Sequence, residues 1–500
     1  MNITMLSAMA ADGMGGRVAA GRLTDGLTFA ELDLRARRVG TLLAGRSVER
    51  LGMVDLNSDA VPLALLGAAY AGVPFAPLNY RLTDERLRAV VRRLAPATIV
   101  VGDDAVADRI GAPPGITVLY RQELLEAAGD PGVPPVAEAP ADPDAIAVLL
   151  FTSGTSGEPK AAILRHQNLV SYILSTVEFA GAAPDEAALV GVPPYHVAGV
   201  SAVLSNLFAG RRVVRLESFD ARVWIDLARR ERITHAMVVP TMLGRILDEL
   251  DGAGLPDLRA LSYGGGPMPL PVVRRALEAL PGVGFVNAYG LTETSSTIAV
   301  LGPDDHRVAL ASPDPEVRAR LGSVGRPVPG LEVTVRGAGG EELPAGERGE
   351  IWVRGEQVSG EYVGHRATRA DGWFPTKDAG MLDAGGFLHV FGRLDDVIVR
   401  GGENLSPGEI EAAVQEHSAV ADVAVFGVPD PEWGEAVAAA IVLEPGAELT
   451  VDELRAHVRE RLRSTCAPAV VEFRELLPYT DTGKLLRRVV RDEILNRIQS

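Results

Sequence analysis

Short apolar runs rich in Val, Ile and Leu alternate along most of the chain with longer segments whose apolar positions recur at helical spacing. The runs Ala145–Phe151, Arg211–Leu216, Ile233–Val239, Leu258–Tyr263 and Val283–Ala288 are short and continuous, which predicts buried strands. Asn168–Ser175, Ala221–Arg230 and Leu270–Leu280 lie between them and predict helices. Strands alternating with helices predict an α/β fold with mostly parallel sheets. No fixed-period repeat is present. Pro131–Asp144, PGVPPVAEAPADPD, reads as a linker or equally as a long surface loop.

The C-terminal part has another rhythm. Ser406-Pro407-Gly408-Glu409 is a capping box with Pro at the first helical position, opening a helix to about Ser418. Strands Val420–Val428 and Ala438–Leu443 follow, and Thr450–Glu453 is a second capping box for a helix to about Arg463. This predicts a compact α+β unit with its boundary near Leu394.

Composition narrows the field. At 500 residues, 47% of them hydrophobic, the chain exceeds what one core serves, so at least two domains are expected. The balance of 49 Lys and Arg against 66 Asp and Glu, a net charge of −17, argues against sequence-independent nucleic-acid binding. It leaves room for an anionic small ligand, which backbone amides and a few local cations can hold. No apolar run reaches the length of a membrane span, so no integral membrane association is expected. The N-terminal MNITMLSAMAADGMGG lacks the basic and continuous apolar regions of a secretion signal. With one cysteine, Cys466, the expectation is a cytoplasmic protein.

The strongest chemical signal follows the run Ala145–Phe151. Thr152, Ser153, Gly154, Thr155, Ser156 and Gly157 form a flexible, hydroxylated turn that can offer backbone N–H and O–H donors to phosphate. Lys160 adds a positive charge at its end. A P-loop NTPase is excluded by spacing, because Pro159 precedes Lys160 and Ala161 follows it. Taken alone, the stretch is equally an ordinary surface loop. A dinucleotide-dependent dehydrogenase is disfavoured, since no G-x-G-x-x-G follows an early strand.

Other segments decide between these readings. TSGTSGEPK (Thr152–Lys160) resembles the phosphate-binding loop of the adenylate-forming superfamily, which includes acyl-CoA synthetases and adenylation domains. PPYHVAG (Pro193–Gly199), NAYGLTET (Asn287–Thr294), TKDAG (Thr376–Gly380), GRLDDVIVRGGENLSPGEIE (Gly392–Glu411) and PYTDTGKLLRR (Pro478–Arg488) resemble that family's further motifs, in the family's order. GLTFAELD (Gly26–Asp33) and PFAPLNYRL (Pro74–Leu82) resemble its N-terminal part. The resemblance spans nearly the whole chain.

It implies an α/β protein: a large N-terminal domain of layered α/β subdomains (1–393), a hinge (394–396, pivoting at Asp395) and a small mobile α+β C-terminal domain (397–500). It implies AMP-forming activation of a carboxylic acid by ATP, then transfer of the acyl group, fatty or aryl, to the thiol of CoA. The resemblance assigns Mg²⁺ to Glu293, a carboxylate being a suitable ligand for a hard cation. Thr292 is assigned to phosphate, Tyr289 to stacking on adenine, and Asn287, Ala288 and Gly290 to the same nucleotide motif. Asp378 is assigned to the ribose hydroxyls, with Arg393 adding a nucleotide contact. Gly264, Gly265 and Gly266 are expected close to adenine and acyl group, where side chains would collide.

Tyr195, His196, Val197, Gly199, Gly266 and Leu291 are implied around the acyl group, and the run Ser201–Phe208 behind them is expected to line its pocket. These segments hold no Arg or Lys, which argues against a dicarboxylic substrate. Lys484 is implied as the catalytic lysine of adenylation, with Glu293, His196 and Thr152 completing the catalytic set. Gly401 and Gly402 are implied along the pantetheine arm of CoA. Two positions depart from the pattern: Lys377 stands where the family usually has Gly, and Cys466 where related enzymes often carry Lys. The alternatives are a stand-alone ligase loading an acyl carrier protein or a non-thiol acceptor, and an inactive member that only binds nucleotide or acyl ligand. The oligomeric expectation is a monomer or homodimer.

Overall fold

Four sheets organise the chain in a computed structural model that describes residues 1–138, 142–152, 160–400, 403–480 and 485–498. The eight-stranded sheet centres on Ile146–Thr152, flanked by Phe75–Pro77 and by Lys160–Arg165. Helices cover both faces of this sheet, which is why its central strand reads as an unbroken apolar run. The nine-stranded sheet has a parallel centre, Arg212–Arg215, Ala187–Val190, His235–Val238, Ala260–Gly264 and Gly284–Leu291, with antiparallel pairs at its ends. Each of the five predicted runs is a strand, with ends shifted by a few residues. The largest extension is the last, which continues through Tyr289 to Leu291 because Ser296–Leu301 turns back and pairs with it.

Helices Thr4–Met14, Phe29–Gly45, Ala60–Ala71, His166–Thr176 and Val197–Ala209 share one core with the inward residues of the eight-stranded sheet. The expected pocket run Ser201–Phe208 falls inside that last helix. Its Val203, Leu204, Leu207 and Phe208 point into this core, so the expectation is corrected: their spacing is that of a buried helical face. Helices Ala221–Arg230, Pro240–Glu249 and Leu270–Ala279 form a second core on the nine-stranded sheet.

Pro131–Asp144 does not separate two domains, since the strands on its two sides, Ile116–Tyr120 and Ile146–Thr152, belong to one sheet. Its described part is strapped to the helix Phe29–Gly45: the Thr41 hydroxyl donates to the Pro134 carbonyl at 2.6 Å and Arg37 donates to the carbonyls of Val136 and Ala137.

A four-stranded antiparallel sheet, Glu332–Arg336, Gly349–Arg354, Phe374–Leu382 and Leu388–Arg393, precedes the C-terminal unit. The 3₁₀ turn Leu394–Asp396 then leads to Ile398–Arg400, the first strand of a five-stranded sheet with its own core. In that unit Thr450 makes the full reciprocal cap. Ser406 accepts from the Glu409 N–H, but the Glu409 carboxylate leaves the box to pair with Arg348 at 2.7 and 3.2 Å. A charge partner just ahead of the strand Gly349–Arg354 outcompetes the local N–H. The helix spans Pro407–Gln415, ending short of Ser418. Among the described residues, no helix is long and apolar enough to cross a membrane.

Candidate active site

The antiparallel return of Ser296–Leu301 on Gly284–Leu291 creates a tight turn, and Glu293 sits on it, in the 3₁₀ segment Thr292–Thr294. Gly290 is demanded by this turn, since a Cβ there would lie 1.7 Å from the Ser296 carbonyl oxygen. Gly264 is likewise required by the neighbouring strand, with a Cβ 2.2 Å from the Ala288 carbonyl oxygen. These two glycines therefore answer to sheet packing, whatever ligand passes over them. Gly265 and Gly266 follow at the strand end, Gly265 with a φ of +83°. Ala288 is held between Gly264 and Val300 in the sheet, and the Asn287 amide donates to the Ser323 carbonyl at 3.1 Å.

Tyr289 and Asp378 meet across two sheets. The Tyr289 phenol donates to Asp378 Oδ2 at 2.5 Å, and Arg393 Nη1 donates to Asp378 Oδ1 at 3.0 Å and to the Thr376 carbonyl at 3.1 Å. Asp378 and Arg393 are cross-strand partners, which fixes their pairing by register. Burial and the Asp378 carboxylate push the Tyr289 phenol well above its ordinary range. Burial opposes the charge of Arg393, yet Asp378 outweighs it and holds the guanidinium above its usual value. The carboxylate expected to take ribose hydroxyls thus accepts a bond on each oxygen from the protein itself.

Lys377, beside it, adopts a φ of +62°. That is the left-handed conformation a glycine adopts freely, so the lysine holds it at the cost of strain.

Glu293 is gripped from a third direction. Ser359 and Gly360 N–H donate to its carbonyl at 2.9 and 3.0 Å, and the Tyr362 phenol donates to its Oε1. Lys160, at the start of its strand, holds its Nζ 5.9 Å from the Tyr362 ring centroid. Tyr362 escapes a reading of the sequence, because nothing in GEYVG marks its partner 69 positions away.

The donor set around Glu293 is all oxygen, and among the described residues no trio of His, Cys, Asp or Glu forms a metal cage. One carboxylate and the hydroxyl of Thr292 suit Mg²⁺ carried on a nucleotide, which takes most of its ligands from phosphate and water.

His196 caps the helix Val197–Ala209 from an extended backbone, and its ring lies 4.5 Å from that of Tyr195. Tyr195 in turn meets Tyr80 edge to face at 5.4 Å. Val197 and Gly199 occupy the first helical turn, Gly199 packed under Pro193 and Pro194. Leu291 ends its strand next to Thr292.

A cavity of about 310 Å³ opens beyond Tyr80, at the carboxyl ends of three parallel strands. Pro193, Phe219, Val239 and Met242 supply apolar walls, while Glu217, Thr241, Arg81 and Arg245 bring polar and charged groups. Carboxyl ends of strands in open α/β sheets are the usual place for ligands. Arg81 and Arg245 come from a loop and a helix outside the segments expected to line the acyl pocket, which themselves hold no Arg or Lys. Tyr479 and Thr480 close the cavity from the C-terminal unit. Tyr479 also donates to both oxygens of Asp422 at 2.8 Å.

Thr152 ends its strand, its backbone paired with Lys160. Ser153, Gly154, Thr155, Ser156, Gly157, Gly401, Gly402 and Lys484 lie outside the described residues. Asp395 is on the exposed turn Leu394–Asp396. Cys466 is buried in the C-terminal core, and burial raises its thiol pKa.

A large layered α/β unit followed by a small α+β unit is the architecture of an adenylate-forming type of enzyme. Residues 8–363 match the family model of the AMP-binding enzyme, and residues 409–484 that of the AMP-binding enzyme C-terminal domain. The chain belongs to the AMP-binding enzyme family.

A feruloyl-CoA synthase from Amycolatopsis sp. is 35% identical over 476 residues, covering 93% of each chain. The fatty acid–[acyl-carrier-protein] ligase ScoC of Streptomyces coeruleorubidus is 32% identical over 489 residues, 93% of this chain and 91% of that one. The o-succinylbenzoate CoA synthetase MenE from Bacillus subtilis, solved with its acyl-adenylate intermediate, superposes with a TM-score of 0.83 at 28% identity, over 97% of this chain and 98% of that one. A second MenE structure, with ATP and a magnesium ion, gives a TM-score of 0.82 at 28% identity and the same coverage.

Proposed function

We propose that this protein is an AMP-forming acid–thiol ligase. It joins a carboxylic acid to AMP with release of pyrophosphate and passes the acyl group to the thiol of CoA. The observation that carries this reading is the convergence of Lys160, Glu293, Tyr289, Asp378 and Arg393 from three sheets, in a chain whose relatives include CoA ligases.

Both reactants of the first step are anionic, so catalysis rests on positioning and on neutralising charge. Bound Mg²⁺ supplies positive charge against the nucleotide phosphates, with Glu293 as its protein carboxylate and Thr292 beside it. Thr152 to Gly157 and Lys160 receive phosphate. Tyr289 offers its ring to adenine beside Gly264, Gly265, Asn287, Ala288 and Gly290, while Asp378 and Arg393 hold the ribose side. His196, with Tyr195, Val197, Gly199, Gly266 and Leu291, borders the reacting carboxyl group.

Lys484 reaches the α-phosphate and carboxylate oxygens from the C-terminal unit. The lining of the cavity by Tyr479 and Thr480, a few residues upstream of Lys484, supports that reach. The chain divides into 1–393 and 397–500 around the turn 394–396, which pivots between the two half-reactions, and Gly401 and Gly402 flank pantetheine in the second. The enzyme acts in the cytoplasm, as monomer or homodimer.

The substrate is a fatty or aryl acid. Aromatic and apolar walls at Tyr80, Phe219, Val239 and Met242 support an aryl group, and Arg81 and Arg245 admit a second anionic group at the mouth. A second reading, transfer to the phosphopantetheine of an acyl carrier protein, draws on the likeness to ScoC and on Cys466 at a position where related enzymes often carry lysine.

The test is pyrophosphate release with cinnamic-type aryl acids, fatty acids, short-chain acids and aryl dicarboxylates, with and without CoA, and with Lys484→Ala as control. Acid-dependent release that vanishes in Lys484→Ala, together with a CoA thioester, is the expected result. Release without thioester moves the acceptor to a carrier protein or a non-thiol nucleophile, and no release with any acid identifies an inactive binder.

A further inference from the structure

We infer that Tyr362 is a positioning residue that couples Lys160 and its strand to the metal-binding carboxylate. The inference rests on the reading of Glu293 as the Mg²⁺ ligand.

Glu293 is exposed enough to turn, and a freely rotating carboxylate binds a metal less well than an oriented one. The segment Ser359–Val363 removes that freedom at both ends of the residue. Ser359 and Gly360 N–H hold its carbonyl at 2.9 and 3.0 Å, and the Tyr362 O–H holds Oε1, which leaves Oε2 to face a cation. The same short segment is tied to the strand that begins at Lys160. Tyr362 pairs with Ala162, Glu361 with Ile163, and the Val363 N–H donates to the Ala161 carbonyl at 2.9 Å. Arg165 of that strand clamps Glu361 with two bonds of 2.8 and 2.9 Å.

The ring face of Tyr362 then lies beneath the Lys160 ammonium, 5.9 Å from centroid to Nζ. One side chain therefore bonds to the anion offered to metal and lies within cation–π range of the cation offered to phosphate. Outer partners of this type orient metal ligands, and their loss typically weakens metal binding by about 10- to 100-fold.

Tyr362→Phe keeps the ring under Lys160 and removes only the bond to Glu293. The experiment titrates Mn²⁺, by its free-ion EPR signal, into protein saturated with a non-cleavable α,β-methylene ATP. The parent, Tyr362→Phe, Glu293→Gln and the double variant are compared, with melting curves alongside. The inference expects about 10-fold weaker Mn²⁺ binding in Tyr362→Phe, and no further loss when it is added to Glu293→Gln, because the phenol acts through that carboxylate. In pyrophosphate release, half-saturating Mg²⁺ rises by a similar factor while the rate at saturating Mg²⁺ recovers most of the parent value.

Mn²⁺ affinity within two-fold of the parent in Tyr362→Phe, or losses that multiply in the double variant, overturns the inference and leaves Glu293 as ligand. An unchanged affinity in Glu293→Gln removes the metal reading itself, and this inference with it.

Discussion

Tyr289 and Asp378, 89 residues apart, share a hydrogen bond of 2.5 Å that joins the nine-stranded sheet to the four-stranded one. The ring proposed for adenine and the carboxylate proposed for ribose are thus one preassembled unit, with Arg393 on its far oxygen. Preassembly matters because ligand binding then orders fewer side chains.

Asp378→Asn tests this unit. The amide retains shape, but it loses the charge that balances Arg393 and one acceptor oxygen. We expect the KM for ATP to rise at least 10-fold and stability to fall by about 1–3 kcal/mol, the range for a hydrogen bond lost to a charged group. Kinetics in ATP and a denaturant titration check both, and an unaltered KM would take Asp378 out of the nucleotide site.

Lys377→Gly addresses the strained backbone beside it. A left-handed conformation costs a non-glycine residue about 1–2 kcal/mol, part of which glycine returns through its looser unfolded chain. The expected outcome is a stability gain of a few tenths to about 1 kcal/mol with ATP kinetics unchanged. A loss of stability would mean that the lysine side chain compensates for its own strain.

Asp395→Pro tests the hinge. Proline fixes φ near −65° and removes a donor, so a turn that must switch between two backbone states loses one of them. One half-reaction, pyrophosphate release or thioester formation from supplied acyl-adenylate, should fall while the other persists. Equal losses in a variant with a normal melting curve would place the pivot elsewhere.

His166 predicts a pH dependence of stability. It is 2% exposed, and burial lowers its imidazole to about 4. Its folded value lies below the unfolded one, so the contribution is complete above pH 6.5 and is lost as pH falls from 6.5 toward 4. A shift of this size is worth about 3 kcal/mol. Tm should decline through that window, and His166→Gln should decline less steeply, with His235, also lowered to about 4 by burial, carrying part of the remainder. Parallel curves for parent and variant would exclude His166 as a source.

What local chemistry dictates was legible from the residues alone. The strand Ile146–Thr152 is visible because both its faces are covered, and the cap at Thr450 because its partner lies three residues on. The ordered motifs carried the family and most of the residues proposed for the nucleotide. Tertiary structure decided the rest, since its determinants are distant in the chain. Glu409 abandons its cap for Arg348, 61 positions away, and Ser201–Phe208 is drawn into the core rather than a pocket wall. Arg81 and Arg245 reach one cavity from segments far apart in the chain, with strands of two sheets between them. Tyr362 finds Glu293 only because the strand pair Glu361–Tyr362 docks on Lys160–Arg165. Periodicity and motif are properties of neighbours along the chain, whereas the partner of a side chain is chosen by where the sheets bring it.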